Sequence, residues 1–284
     1  MLFRSAGLII DRLLADRTFG QVDTTRTEKA GDAYDAVRQI RDKSVDLLFT
    51  VGGDGTVNEV VNGLVDSGLS IPLAILPAGT ANDFATAMKI PRNVDEYCKM
   101  IRRFRLQDVD AGRIGDKSFL NVAAGGMLTD ISYKVPSDAK TVLGQMAYIL
   151  SGAIDLPAQL YRTLPVTIRT PERTISDDIL LFIVANTSSV GGFRNLAPLA
   201  AANDGLLDVL IIHRQNLLEL VPLMLQVVNG EHLGHPKVSY FQTSRLEISC
   251  RDVCPLPLDL DGEPGPVLPV VIEAVPAALR LVVP

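Results

Sequence analysis

Along the opening residues, Ala6, Ile9, Ile10, Leu13 and Leu14 recur at helical spacing, so the pattern predicts a helix at the start of the chain with no strand ahead of it. A second helix is predicted from about Asp32, which can cap it, with Ala33, Ala36, Val37 and Ile40 on one face. Asp46-Leu47-Leu48-Phe49-Thr50-Val51 reads as a buried strand ending in glycines, and Val57, Val60, Val61 and Leu64 follow at the spacing of a helix with one buried stripe. The unit then repeats: Pro72 to Leu76 as a strand, Pro77-Ala78-Gly79-Thr80 as a loop, and a helix from about Asn82 through Met88. Two successive strand, glycine-loop, helix units predict a right-handed crossover and a doubly wound parallel sheet, whose ligands bind at the carboxyl ends of the strands.

From about Gln107 the texture changes to short strands separated by turn signals such as Gly115-Asp116 and Asn203-Asp204-Gly205. Strands are predicted at Val166 to Arg169, Ile179 to Ala185, Leu206 to His213, Leu246 to Cys250 and Leu279 to Val283, with one amphipathic helix near Asn216 to Val228. The fold class is therefore α/β plus β-rich, and the division placed on it is 1–107 with 275–284 as an α/β domain and 108–274 as a β-rich domain.

Composition narrows the function classes. The 284 residues are 47% hydrophobic with mean hydropathy +0.23, enough for two cores. The longest stretch free of charge, Ser67 to Asn82, has 16 residues and two prolines, so no transmembrane segment is expected. A net charge of −6 argues against a nucleic-acid partner. Three cysteines, Cys98, Cys250 and Cys254, do not make a disulfide framework and fit a reducing cytoplasm, with Cys250 and Cys254 read as strand-end thiols.

The strongest local signal is Gly52-Gly53-Asp54-Gly55-Thr56-Val57-Asn58-Glu59-Val60. Glycines at a strand end let backbone N–H groups approach phosphate oxygens, and a following helix N-terminus favours an anion. Asp54 in such a loop implies a cation beside the phosphates; the simpler reading is a glycine turn with a helix cap. Gly79-Thr80-Ala81-Asn82-Asp83-Phe84 repeats the design, and two such loops, each with an Asp, point to a shared polyanion and a divalent cation. Neither loop is a Rossmann fingerprint or a Walker loop.

GGDGTVNEV followed by LPAGTANDFA resembles the catalytic signature of the diacylglycerol kinase superfamily, and most closely its soluble bacterial diacylglycerol or lipid kinases, relatives of sphingosine and NAD kinases. The likeness extends through Thr27 to Ala33, Phe119-Leu120-Asn121-Val122-Ala123 with Gly125-Gly126, Pro198 through Val209, and Asp261-Gly262-Glu263. GGDGT alone is shared with NAD kinases; joined to the second loop and a late DGE it is specific. The resemblance implies a Rossmann-like nucleotide domain and a mainly antiparallel β-sandwich domain for the lipid. It implies that Gly52, Gly53, Gly55 and Thr56 bind the phosphates of ATP, with Thr27, Glu59, Gly79 and Thr80 beside the nucleotide and Asn82 and Asp83 completing that wall. Asp54 would help hold Mg²⁺, Asp261 would be the general base on the lipid hydroxyl, and Glu263 its partner. A structural Mg²⁺ would lie on Asp204 with the carbonyls of Ala201 and Leu206. For Asp261 the competing reading is a tight Asp-Gly turn.

Other signals weigh less. His232, His235, Cys250 and Cys254 could be drawn as a zinc site but fall in different predicted elements. Lys99, Arg102, Arg103 and Arg105 could meet anionic headgroups, although a solvated helix face explains them as well. The loop Asn186 to Asn195 either borders a lipid entrance or is an ordinary connection. Family members usually begin with a strand and an Asn-Pro-x-Ser-Gly loop, and this chain starts where their first helix starts. The expectation is an ATP- and Mg²⁺-dependent lipid kinase, peripheral to the inner membrane face, acting on a lipid at the membrane surface, with a homodimer left open. The alternatives are a non-catalytic nucleotide- or lipid-binding member and an NAD kinase-like enzyme.

Overall fold

The computed structural model describes residues 2–40, 45–126, 163–190, 195–251 and 257–284. They divide into two units, Met1–Val109 with Ala277–Pro284, and Asp110–Pro276.

In the first unit α1 (Leu2–Ala15), α2 (Asp32–Arg38), β1 (Leu48–Gly52), α3 (Asp54–Ser67), β2 (Leu73–Pro77), α4 (Asp83–Ala87) and α5 (Val94–Arg103) follow in order. β1 and β2 are parallel, in register from Leu48 opposite Leu73 to Gly52 opposite Pro77, so both strands end at the same level and deliver their glycine loops side by side. Leu281, near the chain's end, pairs in parallel with Leu73 on the other edge of β2. Every residue of β2 is buried, as a central parallel strand requires. The stripe Val57, Val60, Val61 and Leu64 of α3 is buried, and Gly63 lets α2 come close, since a Cβ there would meet Val37 at 2.8 Å. Among the described residues no helix is long and apolar enough to cross a membrane.

The basic residues on α5 are largely paired. The Arg102 Nε donates to Asp16 at 2.7 Å, Lys99 to Glu96 at 2.8 Å, and Arg12 of α1 pairs with Asp95. These are exposed pairs worth little in stability, and Arg103 and Arg105 beside them are exposed as well.

The second unit is antiparallel. β7 (Thr174–Ala185) is its spine: it pairs with β6 (Leu164–Arg169) through its first half, with β5 (Val122–Gly126) through its second, and with β8 (Leu207–His213) along the other edge. β5 continues to β11 (Pro257–Leu260) and β12 (Glu263–Val267), while β6 continues to β10 (Arg245–Cys250) and β8 to β9 (Val238–Thr243). β3 (Arg105–Ile114) forms a hairpin with β4 (Lys117–Phe119), and β13 (Val270–Val283) closes the chain. One face of this sheet packs on itself as a sandwich core around Phe182, Val209, Leu246, Leu258 and Ile272. The opposite face of β7 and β8 is covered by α6 (Leu217–Asn229), whose Leu220, Leu223 and Val227 pack on Leu181, Ile183, Leu210 and Ile212.

The histidine and cysteine signals resolve as structure. His232 is fully buried with Nε2 at 3.0 Å from the Leu196 carbonyl, and His235 Nδ1 accepts the Lys237 N–H. Cys250 is disulfide-bonded, correcting its reading as a free thiol, and Cys254 lies outside the described residues. Gly191, Gly192 and Phe193 of the loop after β7 also lie outside them.

Candidate active site

The first loop turns at Gly53, which stands at the N-cap of α3 in an extended conformation and offers no side chain to cap it. Gly53 therefore leaves the positive end of the 14-residue α3 without a capping side chain of its own, the arrangement an anion uses, although the Asp54 carboxylate accepts its own backbone N–H. Gly52 has no room for a side chain, since a Cβ there would lie 2.5 Å from the Thr56 Cβ, and Gly53 has little, since one there would lie 3.1 Å from the Gly79 Cα. Gly55 and Thr56 follow in the first turn of α3, partly exposed.

The second loop is closed by Asn82, which is buried and adopts the left-handed region at φ 52°. Its Oδ1 accepts the Gly79 N–H at 2.8 Å and its Nδ2 donates to the Gly79 carbonyl at 2.6 Å. Asp54 ties the loops together, its carboxylate accepting the backbone N–H groups of Asn82 and Phe84 at the start of α4. Burial pushes the Asp54 carboxyl above the ordinary carboxylate value, the charge of Asp83 adds to the push, and the amide donors oppose it. Asp54, whose proton affinity the neighbouring Asp83 charge raises, forms with Asp83 a hard-oxygen donor set on adjoining loops whose repulsion a divalent cation would relieve. The residues present therefore fit Mg²⁺ and a phosphate chain.

Glu59 serves this wall indirectly. Its carboxylate accepts the N–H of Gly31 at 2.9 Å and of Ala33 at 3.1 Å, and so caps α2. The sequence reading gave that cap to Asp32; the structure instead turns Asp32 back, where it accepts the Glu28 and Lys29 N–H groups at 2.8 and 3.0 Å. Gly31 at φ 91° is the N-cap residue. Thr27 precedes this braced segment and is exposed, as is Thr80.

Within the second unit, Asp261 and Gly262 are the two residues between β11 and β12, both at positive φ, 52° and 90°, so the Asp-Gly turn is present. The Asp261 carboxylate also has partners of its own: it accepts N–H groups from Leu120 at 2.7 Å, Asn121 at 2.9 Å and Val122 at 2.8 Å. Turn and site readings are therefore compatible on one residue. Glu263 is exposed at the start of β12. Asp259, two residues earlier, was not singled out from sequence, although the alternation Leu258-Asp259-Leu260-Asp261 places both acids on one face of the strand end. Burial raises its proton affinity, the Gly262 N–H lowers it and Glu263 raises it.

Asp204, Ala201 and Leu206 share a corner before β8. The Asp204 Oδ1 accepts the Leu206 N–H at 2.9 Å, and buried Asp110 braces the corner by accepting the Gly205 N–H at 2.7 Å and donating its own N–H to the Ala202 carbonyl at 2.7 Å. Exposed Asp204 with nearby carbonyls is an oxygen-only donor set, compatible with Mg²⁺. Among the described residues no group of three or more His, Cys, Asp or Glu side chains gathers as a metal site.

A parallel α/β unit with twin glycine loops, followed by an antiparallel sandwich, is the build of the NAD kinase and diacylglycerol kinase-like phosphotransferases. Residues 8–114 match the diacylglycerol kinase catalytic domain, and residues 128–283 the YegS C-terminal NAD kinase beta sandwich-like domain. The chain is 38% identical over 250 residues to the diacylglycerol kinase of Bacillus subtilis (strain 168), covering 88% of this chain and 81% of that one. It is 35% identical over 243 residues to the diacylglycerol kinase of Staphylococcus saprophyticus, covering 86% and 78%. A crystal structure of a diacylglycerol kinase from Bacillus anthracis str. Sterne shares the fold at TM-score 0.72 and 22% identity, covering 95% of this chain and 88% of that one. The chain belongs to the diacylglycerol kinase family and is by that membership a lipid kinase.

Proposed function

We propose that the chain transfers the γ-phosphoryl group of ATP to a hydroxyl of diacylglycerol or a related lipid, taken from the inner face of a membrane. The observation that carries this reading is the pair of glycine loops joined by Asp54, in a chain of this family. The N–H groups of Gly53, Gly55 and Thr56 and the glycine backbone at Gly52 and Gly79 cradle the phosphates, with Thr27, Thr80, Asn82 and Asp83 beside the nucleotide and Glu59 bracing the segment that carries Thr27. Mg²⁺, held by Asp54 with Asp83 adjacent, would neutralise charge on the phosphates. Asp261 takes the proton of the lipid hydroxyl as that oxygen bonds to the γ-phosphorus and the bond to the β,γ-bridging oxygen breaks, releasing ADP. Glu263 supports Asp261 from the start of β12. Asp204, through its carboxylate, with the carbonyls of Ala201 and Leu206 would hold a second, structural Mg²⁺.

The test is transfer of label from radiolabelled ATP to diacylglycerol in mixed micelles. Asp261→Ala should abolish labelled lipid, and Asp204→Asn should remove any Mg²⁺-dependent rise in melting temperature in the absence of nucleotide. Undiminished labelling by Asp261→Ala would remove that residue from the reaction.

A further inference from the structure

The three amides that grip Asp261 belong to consecutive residues, which an extended strand cannot aim at one point because its N–H groups alternate in direction. The Leu120–Val122 backbone must bend to do so, and each bent peptide has a carbonyl that needs a partner. Asn186 supplies two of the three. Its Nδ2 donates to the Leu120 carbonyl at 2.8 Å, and its backbone N–H donates to the Asn121 carbonyl at 2.9 Å. The Asp261 N–H supplies the third, to Val122 at 3.0 Å. The Asn186 Nδ2 also reaches the Asp110 carbonyl at 2.9 Å. The same chain segment is fastened again at Asn121, whose Nδ2 donates to the Ser189 carbonyl at 2.8 Å and whose Oδ1 accepts the Thr187 hydroxyl.

Asn186 is fully buried, and its Oδ1 has no hydrogen-bond partner among the described residues. An orphaned buried acceptor is a cost that calls for an explanation. An apolar side chain of similar volume would avoid it, so the feature that the site uses is the pair of Nδ2 donors. We infer that Asn186 is a positioning residue of the kinase reaction, holding the Leu120–Val122 corner in the bend that fixes the Asp261 carboxylate. This rests on the reading of Asp261 as the group that receives the lipid hydroxyl's proton.

The experiment compares the full-length parent with Asn186→Leu, Asn186→Ser and Asp261→Asn. Each is assayed for kcat and for the KM of ATP, and for hydrogen exchange at the Leu120, Asn121 and Val122 amides. Asn186→Leu deletes the orphaned acceptor but also takes the Nδ2 donors from the Leu120 and Asp110 carbonyls, so the melting temperature should fall somewhat while kcat falls about tenfold or more, the scale of a misplaced reacting group. Its KM for ATP should hold, and the three amides should exchange faster. Asn186→Ser keeps a donor and should recover part of both losses; it carries the test if the Leu variant does not fold. Parent-like kcat in Asn186→Leu, or a fallen kcat with unchanged exchange at the three amides, overturns the positioning role. If Asp261→Asn keeps its kcat, the reading of Asp261 fails, and the role of Asn186 fails with it. If only Asn186→Leu behaves like the parent, Asn186 alone is dismissed.

Discussion

Gly79 lies so close to Gly53 that a Cβ built on Gly79 would stand 2.6 Å from the Gly53 Cα. Backbone meets backbone there, and no flexible side-chain end can yield. Gly79→Ala must therefore part the two loops, or strain them by about 1–3 kcal/mol, the usual cost of overpacking. The expected result is a lower melting temperature together with weakened Mg·ATP binding by calorimetry. A variant that binds Mg·ATP like the parent would show that the closeness of the loops is not needed by the nucleotide.

Glu59 offers a cleaner separation of loop shape from phosphate contact, because it acts on α2 through the N–H groups of Gly31 and Ala33. Glu59→Ala should cost about 0.5–2 kcal/mol, as loss of a helix cap does. The Thr27-bearing segment is then released, so the KM for ATP should rise more than kcat falls. A kcat loss with an unchanged KM would assign Glu59 to the chemistry instead of the scaffold.

Glu59 also shows where sequence reading stops. The stripe of α3 and the full burial of β2 follow from local periodicity, and the twin loops from glycines at strand ends. That Glu59, the eighth residue of the nine-residue motif, caps a helix through amides 28 and 26 residues upstream is a tertiary fact with no local signal. The small-residue strand Val122-Ala123-Ala124-Gly125-Gly126 and the Pro- and Gly-bearing Glu263 to Val267 lack the alternation that marks a strand, and they become strands through their partners. Asp261 was legible as a turn and as a candidate for the site; its three amide donors, about 140 positions away along the chain, were not.

Gly112 is covered by the ring of Phe119, its partner across the β3–β4 hairpin; a Cβ on Gly112 would sit 1.9 Å from the ring. Phe119 is fully buried and belongs to the sandwich core. Phe119→Ala should cost about 3–5 kcal/mol in a denaturant titration. Gly112→Ala should also destabilise, by evicting the ring. Stability unchanged in Gly112→Ala would mean that the ring repacks without cost.

Asp208 gives the fold a pH dependence. With 1% of its surface exposed, it has a proton affinity raised by burial, while the Tyr240 hydroxyl and the Gln242 amide lower it and Asp204 raises it again. The folded chain therefore holds this proton more tightly than the unfolded chain, whose reference value is 3.8. The stabilising contribution is complete below that reference and is lost as pH rises through the folded value. Asp208→Asn, nearly the same in size, should flatten the fall of the urea midpoint as pH rises from about 4 to 7. Equal slopes in the two chains would exclude Asp208 as the source.

Asp54 and Asp83 make a prediction with two opposite signs. Without a cation, the charge of Asp83 pushes the partly buried Asp54 carboxyl upward, which is a repulsion stored in the folded state. Asp83→Asn removes it, so the metal-free chain should melt at a higher temperature than the parent. With Mg·ATP present the same change deletes negative charge that would attract the ion, so the ligand-induced rise in melting temperature should shrink. A residue that merely capped α4 would lower the melting temperature in both conditions, because its loss would leave helix N–H groups unpaired whether or not ligand is bound. Thermal melts of parent and Asp83→Asn, with and without Mg·ATP, therefore decide between a cation-facing pair and a cap. A drop in both columns would return Asp83 to the scaffold.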